Sequence, residues 1–275
     1  IQEMFDIIID YPTSLPAVMD IKECLTKTGL FDELCSMLQA SFTKRLLHAG
    51  AKTEDIITTY FNSVKVLYAI DPTGVSFERA THLIKKYLKQ RKDTMRCIVM
   101  GATIEECKNE LYDELSNTEY VESDEESDDE NWTPTPLYPD PQSSQFKGRD
   151  IIKAMVNDFG TKESFMNEYH AILCTKLLNL MDYDTNAETR ILELLKLRFG
   201  DKSLHSCEIM LKDISDSKYL NNHLRAELQK HAPQLLQDLA QKHKNIQIES
   251  FNQVEPIVVS HNYWPPLAEL NPDDD

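Results

Sequence analysis

Glycine is scarce in this sequence, with 7 residues among 275, about a third of ordinary usage. Few glycines leave little material for hairpin turns or phosphate-binding loops, so the composition favours helices. No apolar run approaches the roughly 18 residues that a membrane-spanning helix needs, and no membrane partner is expected. The 41% of hydrophobic residues are nevertheless sufficient for a buried core. These features predict a helical, globular protein.

Positive charge is also in short supply, because 29 lysines and arginines stand against 46 acidic residues. A net charge of −17 repels phosphates, so nucleic acid is not expected as a partner. The six cysteines form no C-x-x-C pair and lie in apolar stretches, which predicts reduced, buried thiols in the cytosol or nucleus. They are Cys24, Cys35, Cys97, Cys107, Cys174 and Cys207.

Motifs that carry chemistry are missing as well. The sequence has no G-x-G-x-x-G, phosphate-binding loop, G-x-S-x-G or H-E-x-x-H, and its eight histidines are dispersed. We therefore predict no catalytic residue, metal site or cofactor, and a hydrolase or transferase is the least favoured class. The chain begins Ile1-Gln2-Glu3-Met4 without an initiator methionine or a signal-like leader, so we expect a fragment of a longer protein.

What is present is helical periodicity, bounded by helix-ending residues. Pro16 suits the first turn of a helix that runs to residue 28, and Thr53 is a candidate cap for a helix over 53–70. Residues 75–100 predict one long or broken helix. Glycines at 29, 50, 101, 160 and 200 each follow an apolar periodic segment, where a helix favours a left-handed residue.

The second half of the chain repeats this pattern. Asp150 is predicted to cap a helix to residue 159, and Asn186 to cap another to residue 199. A further helix is expected from about Ser203, with Ser217 capping a continuation towards Leu239. Amphipathic helices joined by short loops predict a helical bundle.

One charge cluster has two interpretations. Residues 85–96 hold the densest group of cations in the chain, which is either a solvated helix face or a contact surface for an acidic partner. Its members are Lys85, Lys86, Lys89, Arg91, Lys92 and Arg96.

The composition changes abruptly in the middle of the chain. Residues 119–130 hold eight acids and no base, and a proline-rich stretch follows. Such a sequence repels itself and buries little, so residues 116–148 are predicted to be a disordered linker. Ser123 and Ser127 each precede three acids, a context that favours acidophilic kinases, and a spacer that is never modified is the alternative.

The last stretch changes character again. Residues 246–251 alternate between apolar and polar side chains, and Ile257-Val258-Val259 is a β-branched triplet, so both predict strands. Two short strands cannot form a stable sheet alone. Their partners are expected in downstream chain or in another protein.

Several segments taken together resemble the cullin family, the elongated scaffolds of RING-type ubiquitin ligases. The motifs lie on both sides of the acidic stretch, over residues 10–115 and 149–267. They include Tyr87-Leu88, Phe165-x3-Tyr169-x3-Leu173, Leu195-Lys196-x3-Gly200, Met210-x2-Asp213-Ile214-x2-Ser217 and Trp264-Pro265-Pro266.

The resemblance implies an architecture. Residues 1–70 would be the end of a helical-repeat stalk, residues 71–245 a four-helix bundle interrupted by the linker, and residues 246–275 the first strands of an α/β region. An alternative boundary starts the bundle at the end of the linker. The terminal winged-helix parts of the family, with the lysine that accepts a ubiquitin-like modifier, have no counterpart in this sequence.

The resemblance also implies a function and partners. The chain would be a non-catalytic scaffold of a multi-subunit ligase in the nucleus and cytoplasm, holding a small zinc-binding RING subunit and, through it, a ubiquitin-conjugating enzyme. The RING subunit would add a strand to residues 254–261. The residues expected to bind it are Val254, Ile257, Val258, Val259, Ser260 and Trp264. The alternatives are a strand paired only within the chain, and a generic helical adaptor without a ubiquitin role.

Overall fold

A computed structural model describes residues 3–105, 110–117, 150–180, 182–242 and 256–266. Within these residues the protein is helical and contains no strand. Among the described residues before position 118 there are seven α-helices: α1 Met4–Ile9, α2 Leu15–Thr28, α3 Phe31–Arg45, α4 Thr53–Ile70, α5 Val75–Gln90, α6 Thr94–Thr103 and α7 Glu110–Ser116. The described ranges after position 149 contain four more: α8 Ile151–Phe159, α9 Lys162–Leu178, α10 Asn186–Phe199 and α11 His205–Lys242, with a 3-10 turn at Asp201–Ser203.

The chain divides into two compact units, Ile1–Glu168 and Tyr169–Asp275, and the division falls within α9. The predicted boundaries near residues 70 and 245 stay predictions. In the first unit α4 is the central helix, contacting α1, α2, α5, α6 and α7. Because neighbours surround it, α4 is buried on most of its circumference, including the polar side chains of Asn62 and Ser63. In the second unit α10 packs against α11.

Aromatic contacts join the helices of the first unit. The Tyr60 ring on α4 lies 5.7 Å from Phe77 and 5.1 Å from Phe159, measured between centroids. Its hydroxyl donates to Asp158 at 3.0 Å, and burial, together with that carboxylate, raises the pKa of Tyr60. These contacts connect α4, α5 and α8 through a single side chain.

Most of the predicted helix ends are confirmed. Helices end at Thr28, Ile70, Phe159 and Phe199, and the glycine after the first of these, Gly29, has a φ of +69°. Asp150 caps α8, because its carboxylate accepts a hydrogen bond from Lys153 N at 3.1 Å.

Three predicted caps are wrong. Thr53 is the first residue of α4, and its hydroxyl donates to the Asp93 carboxylate at 2.5 Å instead of capping. Asn186 is likewise the first residue of α10, after Thr185. Ser217 lies inside α11, which continues without a break to Lys242.

The 75–100 segment forms two helices. Arg91 leaves α5 in an extended conformation, with φ −84° and ψ 132°, while Thr94 Oγ1 at the start of α6 donates to Leu88 O at 2.7 Å. Gly101 does not follow a helix as predicted but lies buried inside α6.

The basic cluster separates into two groups. Lys85 pairs with Glu78 and Asp158, and Arg91 donates to Thr53 and to the Ala51 carbonyl. The other four cations are exposed and have no ion pair within the described residues. They are Lys86, Lys89, Lys92 and Arg96. The acidic-partner interpretation stays a prediction for them.

Two other predictions end differently. Cys35, Cys174 and Cys207 are buried as expected, but Cys24 is exposed. The linker prediction over 116–148 begins too early, because Ser116 is the last residue of α7 and Asn117 N donates to the Asp113 carbonyl at 3.1 Å. The rest of that segment from residue 118, with Ser123 and Ser127, lies outside the described residues.

The strand predicted at Ile257–Val259 is not present in residues 256–266, where the backbone has no strand partner. Its polar groups bond instead to side chains of a helix, as the next section describes. The segment 246–251 and Val254 lie outside the described residues.

Candidate partner-binding site

Helix α11 carries three polar residues four positions apart, Asp213, Ser217 and Asn221, which we call the polar stripe. A four-residue spacing places them on one side of the helix. Ser217 is 1% exposed and Asn221 is 6% exposed. Buried polar groups need hydrogen-bond partners, and residues 256–266, which we call the docked segment, supply several of them.

Asp213 makes the most contacts in this arrangement. The backbone N of Ser260 donates to its Oδ2 at 2.7 Å, and Ser260 Oγ donates to its Oδ1 at 2.9 Å. The indole Nε1 of Trp264 also donates to Oδ2, at 2.8 Å. One carboxylate thus holds two residues of the docked segment, and the Trp264 side chain is 6% exposed.

Ser217 holds the segment two residues earlier. Val258 N donates to Ser217 Oγ at 2.9 Å, while the hydroxyl lies 2.7 Å from the Asp213 carbonyl and 3.2 Å from the Val258 carbonyl. The hydroxyl has one proton, so it accepts from Val258 and donates to one of the two carbonyls.

Asn221 acts two residues earlier still, through a neighbouring tyrosine. Its Nδ2 donates to the Tyr183 hydroxyl at 3.3 Å, and that hydroxyl donates to the Pro256 carbonyl at 3.2 Å. Tyr183 has a φ of +55°, a left-handed conformation that non-glycine residues rarely adopt. Tertiary contacts such as these two hydrogen bonds offset the cost of that conformation.

The spacing explains why a helix can hold this segment. Residues 256, 258 and 260 meet residues 221, 217 and 213 in turn, so the segment runs antiparallel to α11. Four residues of helix advance about 6 Å, and two residues of extended chain advance about 6.6 Å. The two repeats are close enough for successive contacts to form.

The far end of the docked segment is fixed by a turn and two histidines. Tyr263 N donates to Ser260 O at 3.0 Å. His170 Nε2 lies 2.7 Å from Tyr263 O, so that nitrogen carries the proton and donates. The His205 ring meets the Tyr263 ring edge-on, with centroids 6.1 Å apart.

One edge of the docked segment is open. The bonds to α11 use backbone groups of Pro256, Val258 and Ser260, whereas those of Ile257 and Val259 have no hydrogen-bond partner in the described part of the chain. In an extended chain the N–H and C=O groups of successive residues point to opposite sides. An edge facing away from the helix is a template for an added strand.

Five of the sequence-predicted site residues lie in the docked segment, namely Ile257, Val258, Val259, Ser260 and Trp264, and Val254 lies outside the described residues. Their binding of a partner stays a prediction. Sequence reasoning missed Tyr183 and Asn221, and it missed Asp213 and Ser217 as ligands of the segment. The signal that could have found the three residues of α11 is the repeat Asp-x3-Ser-x3-Asn in an otherwise amphipathic helix.

Within the described residues, no group of three or more His, Cys, Asp or Glu side chains could hold a metal ion. No helix in that part of the chain has the length and apolarity needed to cross a membrane.

Comparison with known proteins gives a consistent result. Residues 1–91 match the family model of ANAPC2-like TPR repeats. The chain is 37% identical over 279 residues to anaphase-promoting complex subunit 2 of Homo sapiens, and 36% identical over 293 residues to that of Arabidopsis thaliana. Each alignment takes in 98% of the chain. The chain is similar to anaphase-promoting complex subunit 2.

This similarity confirms the resemblance drawn from the sequence motifs. It extends to the subunit of Caenorhabditis elegans, 29% identical over 286 residues. The chain spans about a third of the length of the relatives it matches, 32% of the human protein and 33% of the Arabidopsis protein.

Proposed function

We propose that this chain is the part of an anaphase-promoting complex subunit 2 that runs from its helical stalk to the beginning of its RING-binding region. In this proposal it is a non-catalytic, cullin-like scaffold of a multi-subunit ubiquitin ligase that acts in the nucleus and cytoplasm during the cell cycle. The relatives that align with 98% of the chain are named as subunits of this complex, which supports this role above that of a generic helical adaptor.

The partner proposed for the docked segment is a small zinc-binding RING subunit, which in turn holds a ubiquitin-conjugating enzyme. The single observation that supports it best is the open edge at Ile257 and Val259. An extended segment of the partner can pair with those N–H and C=O groups, while α11 occupies the opposite side. Exposed apolar surface beside the edge, with Val258 59% exposed, provides side-chain contact for such a strand.

The scaffold would act by position. Holding an activated donor and an acceptor in one assembly replaces their bulk concentrations by an effective concentration that geometry sets. Such a role needs helices that resist bending. The closely packed core around α4, with Ile56, Phe61 and Leu67 at 0% exposure, supports that requirement within the first unit.

A proline at Val259 tests the strand proposal. In the complete subunit, Val259→Pro removes an N–H of the open edge, so binding of the RING subunit should fall at least tenfold by calorimetry. The matched control is Val259→Ala, which keeps the N–H and shortens the same side chain, and which should bind within a few-fold of wild type.

The outcome separates backbone pairing from side-chain contact. Equal loss in both variants would indicate that the side chain of Val259, not its N–H, binds the partner. Undiminished binding of the proline variant, with the helical circular dichroism intact, would overturn strand addition. If the wild-type protein binds no RING subunit, the result would favour the alternative of a generic helical adaptor.

A further inference from the structure

The open edge has a fixed position only while residues 256–264 are held against α11. We infer that Asp213 is the positioning residue for this partner site: its carboxylate fixes the docked segment in its binding geometry before the partner arrives. The inference rests on the proposed function, because it assigns a role in binding the same partner strand.

The contacts favour Asp213 above the other residues of the polar stripe. Both of its oxygens accept from the docked segment, through three bonds of 2.7, 2.8 and 2.9 Å. Hydrogen bonds to a carboxylate are about twice as strong as neutral ones. Ser217 offers one neutral hydroxyl, and Asn221 reaches the segment only through Tyr183.

Asp213 also satisfies donors that have no alternative acceptor in the described residues. These are the backbone N–H of Ser260 and the indole N–H of the nearly buried Trp264. Without the carboxylate both donors would remain unpaired in the docked state, which favours release of the segment.

Release would weaken partner binding by a definite amount. When only a fraction of the molecules has the binding-competent conformation, the apparent dissociation constant rises by the inverse of that fraction. A docked fraction of about one tenth therefore weakens binding about tenfold. No residue in contact with the partner strand needs to change for this loss to occur.

Three variants of the complete subunit test the inference. Asp213→Ala removes all three acceptor contacts, and Asp213→Asn keeps one acceptor oxygen, so the second should recover part of the affinity lost by the first. Asp216→Ala is the matched control, because Asp216 is an exposed acid three residues further along the same helix. Trp264→Phe changes the other partner of the contact: it removes the indole N–H that donates to Asp213 and keeps an aromatic ring.

Two measurements are needed, one without the partner and one with it. Amide hydrogen exchange of the partner-free subunit should show faster exchange over residues 257–264 in Asp213→Ala and an unchanged rate in α4. Calorimetry with the RING subunit should then show at least tenfold weaker binding for Asp213→Ala, a smaller loss for Asp213→Asn and Trp264→Phe, and none for Asp216→Ala.

Each result decides a different point. Unchanged exchange in Asp213→Ala would overturn the inference, as would faster exchange with undiminished binding, because the segment would then need no positioning. Failure of the wild-type subunit to bind any RING partner would overturn the proposed function. The exchange result would still decide, by itself, whether Asp213 holds the segment.

Discussion

Asp71, between α4 and α5, provides the sharpest stability prediction. Its carboxylate accepts four hydrogen bonds from two residues: from Thr73 N at 3.1 Å and Oγ1 at 2.6 Å, and from Ser76 N at 3.1 Å and Oγ at 2.5 Å. Ser76 lies in the first turn of α5 and is 4% exposed. The carboxylate therefore satisfies a helix-start donor that is shielded from water.

The magnitude follows from these contacts. A hydrogen bond to a charged group contributes about 1.5–3 kcal/mol, and a buried donor left unpaired costs about 1–3 kcal/mol. The two hydroxyls can rotate towards water or carbonyls, so the two backbone donors dominate. We expect Asp71→Ala to lower the free energy of unfolding of the first unit by about 2–4 kcal/mol, and Asp71→Asn, which keeps one oxygen, by about half as much.

The pH dependence gives an independent check. Burial by itself raises the pKa of Asp71, but the hydrogen bonds from Ser76 and Thr73 outweigh it and lower the pKa below 3.8. A carboxyl with a lowered pKa in the folded state stabilises the protein above its unfolded pKa, and that contribution is lost as the pH falls through the folded value. The difference between wild type and Asp71→Ala should thus be full at pH 7 and shrink below about pH 4.

Urea denaturation, monitored through hydrogen exchange of the α4 and α5 amides, measures the difference in free energy of unfolding between wild type and variant at each pH. Asp55→Ala is a suitable control, because Asp55 is an exposed acid in the first turn of α4. Equal stability of wild type and Asp71→Asn at pH 7, or a gap that does not narrow in acid, would refute the reasoning.

Three further substitutions have calculable effects. Gly74→Ala places a Cβ 2.8 Å from the Tyr68 ring at a φ of +76°, so we expect a loss of at least 1–2 kcal/mol, measured as a lower melting temperature. Phe42→Ala empties a site of 0% exposure and should cost about 3–5 kcal/mol in urea denaturation. Lys176→Met leaves Glu188, 5% exposed, without the cation 2.9 Å away, and should cost about 1–3 kcal/mol because Lys176 is partly solvated.

Controls exist for each of these predictions. Gly50→Ala should be nearly neutral, because its Cβ would meet nothing closer than 3.6 Å. Phe42→Leu should lower the free energy of unfolding by less than Phe42→Ala does, because leucine fills part of the same buried site. Adding Glu188→Leu to Lys176→Met should restore stability, and a double variant no more stable than the single one would contradict the ion-pair explanation.

The helix limits were predictable because their signals are local. An apolar stripe that meets a glycine or proline defines an end, as at Thr28 before Gly29 and at Ile70 before Pro72. Gly101 was misread because an interior glycine gives the same signal as a terminal one, and only its burial inside α6 distinguishes them. Thr53 and Asn186 were misplaced by one position, because capping depends on a backbone angle that residue type alone does not determine.

The docked segment was only partly predictable. The β-branched residues at 257–259 predicted a strand, whereas the described backbone there bonds to side chains of α11 through Val258 and Ser260. The contacts of Asp213 with Ser260 and Trp264 join residues 47 and 51 positions apart, a separation that leaves no local signature. Ser217 and Asp213 of a helix accept the backbone N–H groups of Val258 and Ser260, for which β-propensity predicts acceptors on a neighbouring strand.

The two repeats that meet at the polar stripe do not quite match, and this limits how many successive contacts helix and chain can form. Each step of about 6.6 Å along the extended chain exceeds the helical step of about 6 Å, so a fourth contact would be displaced by about 1.8 Å. The stripe also rotates by about 40° around α11 at each step. Helix and extended chain can therefore stay in register over a few contacts only. This agrees with the indirect contact through Tyr183 at one end and with the turn after Ser260 at the other. A longer extended segment would have to leave this helix.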